Sequence, residues 1–107
     1  MDDPREIAGS IEVHNPAGGE SWARGRTVTL RWSSAGAIGP AVALQLLRRT
    51  PYGAWTARTI SPAVPDTGSW SWKIPAFLVP GARYRVRVVS CAGPSIRGIS
   101  QGSFTVK

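Results

Sequence analysis

Two alternating runs separated by two prolines, within Gly68–Ser90 (GSWSWKIPAFLVPGARYRVRVVS), restrict this chain more than any other feature. In the first run Trp70, Trp72 and Ile74 point one way and Ser69, Ser71 and Lys73 the other. A period of two marks a strand with one buried face. Pro75 ends it, because proline has no N–H to give a central ladder. Pro80-Gly81 breaks the chain again, and a second run follows with Tyr84, Val86 and Val88 on its apolar side and Arg83, Arg85 and Arg87 on its polar side. Half-buried strands joined by a short, proline-bounded crossover describe a passage from one sheet of a β-sandwich to the other.

The rest of the chain divides in the same style. Residues 1–9 are polar, include Pro4 and Gly9, and show no period, so they read as a flexible lead-in to a domain over 10–107. Ser10–Asn15 is a strand with Ile11 and Val13 inward, and Glu20-Ser21-Trp22 a short extended piece whose Trp22 plugs one end of the core. Thr27–Ser33 alternates most cleanly, with Val28, Leu30 and Trp32 inward. Ala41–Arg49 places Val42, Leu44 and Leu46 inside; Leu47 and Arg48 break the pattern, as a bulge would. Thr50-Pro51-Tyr52-Gly53 is a turn, Trp55–Ile60 a shorter strand of unsettled facing, Ser61–Thr67 a loop and Cys91–Ser100 another. Gly102–Lys107 closes the domain with Phe104 and Val106 inward. About seven strands separated by turn signals, with no helical period and no internal repeat, is the pattern of an all-β antiparallel sandwich.

Composition agrees. A chain of 107 residues fits one domain, and 12 Gly with 9 Pro suit a sandwich with many turns. The net charge of +7, carried mostly by arginine, permits attraction to polyanions such as anionic polysaccharide, nucleic acid or an acidic membrane surface. Cys91 is the single cysteine, so no internal disulfide forms; it reads as a small, partly buried filler. No apolar run reaches the ~18 residues a membrane-spanning helix needs, so no membrane insertion is expected. The opening MDDPREIAGS has acidic residues and no apolar core, so no signal peptide is expected there.

Patterns that carry chemistry are scarce. His14 is the single histidine and falls on the outer side of its strand as a solvated side chain. No zinc-ligand spacing, CxxC pair, GxSxG elbow, Walker or Rossmann glycine pattern occurs, so neither metal nor cofactor is expected. Glu12, Glu20 and Asp66 lie inside the domain, and two such carboxylates can serve a glycosidase, but nothing in their spacing ties them to one cleft. No catalytic residue is assigned. Asp66, ahead of Thr67-Gly68, is accounted for by a turn.

The candidate binding residues are the arginine row and a few aromatics. Arg83, Arg85 and Arg87 emerge about 6.6 Å apart on one strand face, with Arg49 outward on the neighbouring strand and Arg58 or Arg97 able to extend the patch. Guanidinium groups take carboxylate, sulfate or phosphate in forked pairs; the plain alternative is a solvated face of an arginine-rich domain. Trp55 and Tyr52, near a loop, either stack on sugar rings or pack at a sheet edge. No aromatic platform is expected between the arginines, which makes nucleic acid an unlikely partner.

Leu78, Pro80, Gly81 and Tyr84 resemble the tyrosine corner of immunoglobulin-like domains. The order Ile11-x-Val13-x-x-Pro16, Gly19-x-x-Trp22-x-x-Gly25, Val28-x-Leu30-x-Trp32 resembles the amino-terminal immunoglobulin-like domain of fungal β-1,6-glucan-synthesis proteins. That domain also occurs in Ser/Thr-rich GPI-anchored surface proteins and as modules in secreted bacterial proteins. Trp70-x-Trp72-x-x-Pro75, Leu78-x-x-Gly81-x-x-Tyr84-x-Val86-x-Val88-x-Ser90 and Ser103-Phe104-Thr105-Val106 continue the likeness over residues 10–107. Leu78-x-Pro80-Gly81-x-x-Tyr84-x-Val86 is similar to fibronectin type III domains as well, which share the architecture. The resemblance implies an immunoglobulin-like, noncatalytic module of a larger exported or cell-surface protein. Its work would be spacing, adhesion or association with cell-wall polysaccharide beside neighbouring domains; it transfers no binding residues. A polyanion-binding domain using Arg83, Arg85 and Arg87 is the alternative.

Overall fold

The computed structural model describes residues 9–107, so the lead-in read over residues 1–9 lies outside the described residues except for Gly9. Among the described residues nine strands follow one another: β1 Ser10–Asn15, β2 Ser21–Trp22, β3 Thr27–Ala35, β4 Ala41–Arg49, β5 Trp55–Pro65, β6 Ser69–Lys73, β7 Gly81–Ser90, β8 Arg97–Ile99 and β9 Phe104–Val106. They form a three-stranded sheet in the order β1-β3-β6 and a six-stranded sheet in the order β2-β9-β7-β4-β5, with β8 on β7. The segment Gly68–Ser90 crosses between the sheets, since β6 belongs to the first and β7 to the second. The pairings are antiparallel except β2 with β9, which is parallel.

The period-two patterns fold as strands because each has an apolar side to bury and a polar one to leave in water. Ile11, Val13, Leu30, Trp32 and Trp72 from one sheet, with Ile74 just past the end of β6, meet Val42, Leu44, Leu46, Val86, Val88 and Val106 from the other. Phe104 lies at the middle of an aromatic cluster, its ring centroid 4.8 Å from that of Trp22, 5.8 Å from Tyr84 and 6.5 Å from Trp72. Trp22 thereby plugs an end of the core, and the parallel β2–β9 pair holds it there.

The crossover has the hydrogen bond of a tyrosine corner. The buried Tyr84 hydroxyl donates to the Val79 carbonyl at 2.5 Å, tying the start of β7 to the Pro75–Pro80 loop before it. Asp66 does more than turn the chain: its carboxylate accepts from the Trp32 indole N–H at 2.8 Å and from the Ser34 hydroxyl at 2.5 Å. Glu20 accepts from the backbone N–H groups of Ala17 and Gly18 and so fixes the turn into β2. Burial on its own would raise the Glu20 pKa, but bonds from the N–H groups of Ala17, Glu20 itself and Gly18 outweigh it and hold the carboxyl below its ordinary value.

Several expectations need correction. The strand expected at Trp55–Ile60 runs on to Pro65 through residues read as a loop. It can do so because β5 is the edge of its sheet, where Pro62 and Pro65 need no outward donor, and irregular register near Leu44 absorbs the extra residues. Arg97–Ile99, read as loop, adds three residues of ladder to β7. Trp70 faces Leu30 across the ladder yet stays 38% exposed, because β6 is the edge of the small sheet and the ring overhangs it. Cys91 is exposed rather than a partly buried filler. Leu47 marks no bulge: β4 pairs with β7 in unbroken register from Val42 to Arg48. Leu47 is an apolar residue on the outer face of the large sheet, and it is buried there.

Candidate binding face on the large sheet

A leucine buried on the outside of a sandwich requires something to cover it. Residues directly opposite in a ladder share a face, so the pairs Leu47–Arg85, Leu47–Ala57, Gln45–Arg87 and Arg49–Trp55 put all of these side chains on the outer side of the large sheet. The β8 ladder adds Ile99 opposite Arg87 and Arg97 opposite Val89. The β4–β5 hairpin positions Trp55. Its turn closes with the Thr50 N–H donating to the Ala54 carbonyl at 2.7 Å and the Gly53 N–H to the Thr50 carbonyl at 3.0 Å. Gly53 has φ of 85°, a conformation that side-chain-bearing residues adopt reluctantly. Trp55 leaves this turn directly opposite Arg49 and leans toward β7.

The Arg85 guanidinium carbon lies 5.4 Å from the Trp55 ring centroid, a cation–π contact. Leu47 lies between Arg85 and Ala57 in the ladders, and Trp55 and Arg85 border two adjoining grooves and form the ridge between them. The first groove, about 420 Å³, is lined by Arg49, Thr50, Trp55, Arg83, Arg85 and Ser103, with Pro51 and Gly53 at its rim. The second, about 350 Å³, is lined by Leu47, Trp55, Ala57, Arg85, Arg87 and Ile99, with Thr56 at its rim.

Among the described residues no acidic side chain shares this face. Glu12, Glu20 and Asp66 are the acidic residues among the described ones, and all are engaged elsewhere: Glu12 on β1, Glu20 in its turn, Asp66 with Trp32 and Ser34. Arg87 donates from Nε to the Gln45 Oε1 at 2.6 Å. Burial first, and then the charge of Arg97, lower the Arg87 pKa from its ordinary value. Arg85 Nε is enclosed and meets no acceptor among the described residues. Arg83 and Arg49 are exposed.

The candidates from the sequence therefore sort as follows. Arg49, Arg83, Arg85 and Arg87 share one face, and Trp55 stands among them in cation–π contact with Arg85. Trp55 comes from β5, two strands from β7, so its place beside Arg85 depends on sheet order and is invisible to a reading along one strand. Tyr52 is 96% exposed at the hairpin tip and lines neither groove. Arg97 extends the basic face, whereas Arg58 pairs with Leu46 and sits 4.6 Å over the Phe77 ring, away from it. Leu47 and Ile99 are the residues that sequence reasoning missed. The break in alternation at Leu47 was its signal, whereas the three-residue β8 left none for Ile99.

Among the described residues no group of His, Cys, Asp and Glu could hold a metal ion, and no helix is long and apolar enough to cross a membrane. Among curated proteins and among solved structures, nothing matches the chain. A family model does match, over residues 15–106, and its description is a Kre9/KNH-like N-terminal Ig-like domain. With two sheets, a tyrosine corner and a match spanning nearly its whole length, the chain belongs to the family of Kre9/KNH-like N-terminal Ig-like domains.

Proposed function

We propose that this domain is a noncatalytic module of a larger, exported, cell-wall-related protein, and that it associates with polysaccharide through the outer face of its large sheet. The family supports the coarser part, a module of a wall-related protein. The observation that carries the finer part is the ridge of Trp55 and Arg85 with a groove on either side, on a face that holds a row of arginines and no acidic side chain among the described residues. Aromatic and apolar side chains beside hydrogen-bond donors suit sugar rings, which present apolar C–H faces edged with hydroxyls.

The arginines favour a second reading, in which the polysaccharide is anionic. The two readings separate by salt. Binding driven by release of counterions from a polyanion falls steeply as salt rises, whereas contact with a neutral glycan barely responds. Retention of the domain on columns of a sulfated polysaccharide and of a neutral β-glucan, across a salt series, tests both. The expected result is retention on the sulfated column that is lost by about 0.5 M salt, where the Debye length is only about 4 Å. Retention on the neutral column alone would reject the anionic reading. Passage through both without delay would reject polysaccharide association and leave a spacer.

A further inference from the structure

We propose that the two grooves form one bipartite site for an acidic polysaccharide. An anionic group seats among Arg49, Arg83 and Arg85, and the apolar face of an adjoining sugar ring lies in the second groove against the exposed Ile99. The inference rests on the polysaccharide reading above and narrows it to a ligand class and a binding geometry.

Three observations support it. First, the grooves differ in kind while sharing a wall. One is rimmed by arginines with the Thr50 and Ser103 side chains, the other by Leu47, Ala57 and Ile99. Trp55 and Arg85 line both, so a ligand lying over the ridge meets both grooves. Second, the donors are uncommitted. Arg87 spends one N–H on Gln45, whereas among the described residues the enclosed Arg85 Nε has no acceptor and Arg49 and Arg83 stand exposed. A buried N–H without an acceptor is unfavourable, and a small shift of the Arg85 head toward a ligand oxygen would relieve it. Third, the Arg85 guanidinium lies over the Trp55 ring, which pre-orients the forked edge that carboxylates engage. The same contact takes up a face of the indole, so Trp55 is a brace and groove wall more than a platform for a nucleic-acid base.

A smooth arginine face would attract all polyanions alike. The apolar groove makes this face different, because it rewards a ligand that carries an apolar surface next to its charge. Ile99 is 42% exposed and Arg83 is exposed, so both can be changed without touching the core. The test measures affinities of the wild type, Ile99→Asn and Arg83→Ser for polygalacturonate and for inorganic polyphosphate, at one fixed low salt concentration. Polyphosphate supplies charge without sugar rings.

Ile99→Asn is expected to weaken polygalacturonate binding by about 3- to 10-fold, the loss of part of one aliphatic side chain's burial, and to leave polyphosphate binding unchanged. Arg83→Ser is expected to weaken both. If Ile99→Asn leaves polygalacturonate binding intact, or weakens both polymers equally, the bipartite site is overturned while polysaccharide association stands. If the wild type binds neutral β-glucan but neither polyanion, the acidic ligand is rejected and association again survives. Binding to no polymer at all rejects both.

Discussion

Phe104→Ala is expected to lower the unfolding free energy by about 3–5 kcal/mol, the usual cost of deleting a buried phenyl ring. Phe104 is fully buried, and its ring lies within 4.8–6.5 Å of Trp22, Tyr84 and Trp72, measured between centroids. These neighbours come from both sheets, so alanine would leave a cavity walled by large, rigid rings that cannot collapse into it. Domains of this size are stable by only about 5–15 kcal/mol, so the variant would approach half-unfolding at moderate temperature. Urea unfolding followed by tryptophan fluorescence reads the change, with a shifted midpoint and an unaltered slope. A loss below about 1 kcal/mol would mean that the aromatic cluster is not the mechanical centre of the core.

Gly98→Ala is the second large effect, and it arises from backbone crowding. Gly98 lies on β8, buried, where that strand crosses β1 of the other sheet. A Cβ there would meet the carbonyl oxygen and carbon of Ile11, which cannot swing aside as a side chain can. The two sheets would have to part locally, at a cost of about 1–3 kcal/mol and toward the upper end. Gly93→Ala is the matched control in the same β7–β8 connection: its Cβ would meet Ile96 Cδ1 at 3.5 Å, an ordinary contact, and its stability is expected to stay within about 0.5 kcal/mol of wild type. Equal effects of the two substitutions would contradict the seam between β8 and β1.

Where side-chain periodicity decides the structure, it was readable in advance. Val28, Leu30 and Trp32 alternate without interruption, and β3 follows them; the proline-bounded run from Trp70 to Val88 crosses between sheets as its punctuation demands. What escaped reading depends on sheet order. Pro62 and Pro65 argue against a central strand, but β5 lies at an edge, where prolines are tolerated. Arg97–Ile99 is held by β7 and by close packing on β1, and a three-residue strand containing glycine has too little pattern to announce itself. Trp70 sits on the inward side of its ladder but at an edge that leaves it partly uncovered.

The candidate site shows the same division. Alternation along β7 put Arg83, Arg85 and Arg87 on one face, and the pattern alone sufficed for that. The place of Trp55 did not follow, because it depends on β4 standing between β5 and β7 and on the indole of Trp55, just after the Thr50–Ala54 turn, reaching Arg85. Leu47 itself was visible as an irregularity, and an apolar residue out of phase can signal either a bulge or an outer-face contact. Only the register with Arg85 decides between them.

The central claim is that polysaccharide meets the outer face of the large sheet, and it is tested most directly by following backbone and side-chain N–H resonances during titration with polygalacturonate. The Trp55 indole N–H, the Nε–H groups of Arg83, Arg85 and Arg87, and the Ile99 amide are expected to shift together and saturably. Those of Glu12, His14 and Ser33, on the opposite sheet, are expected to stay in place. Shifts centred on His14 and Ser33, or none with either polygalacturonate or a neutral β-glucan up to millimolar sugar, would contradict it.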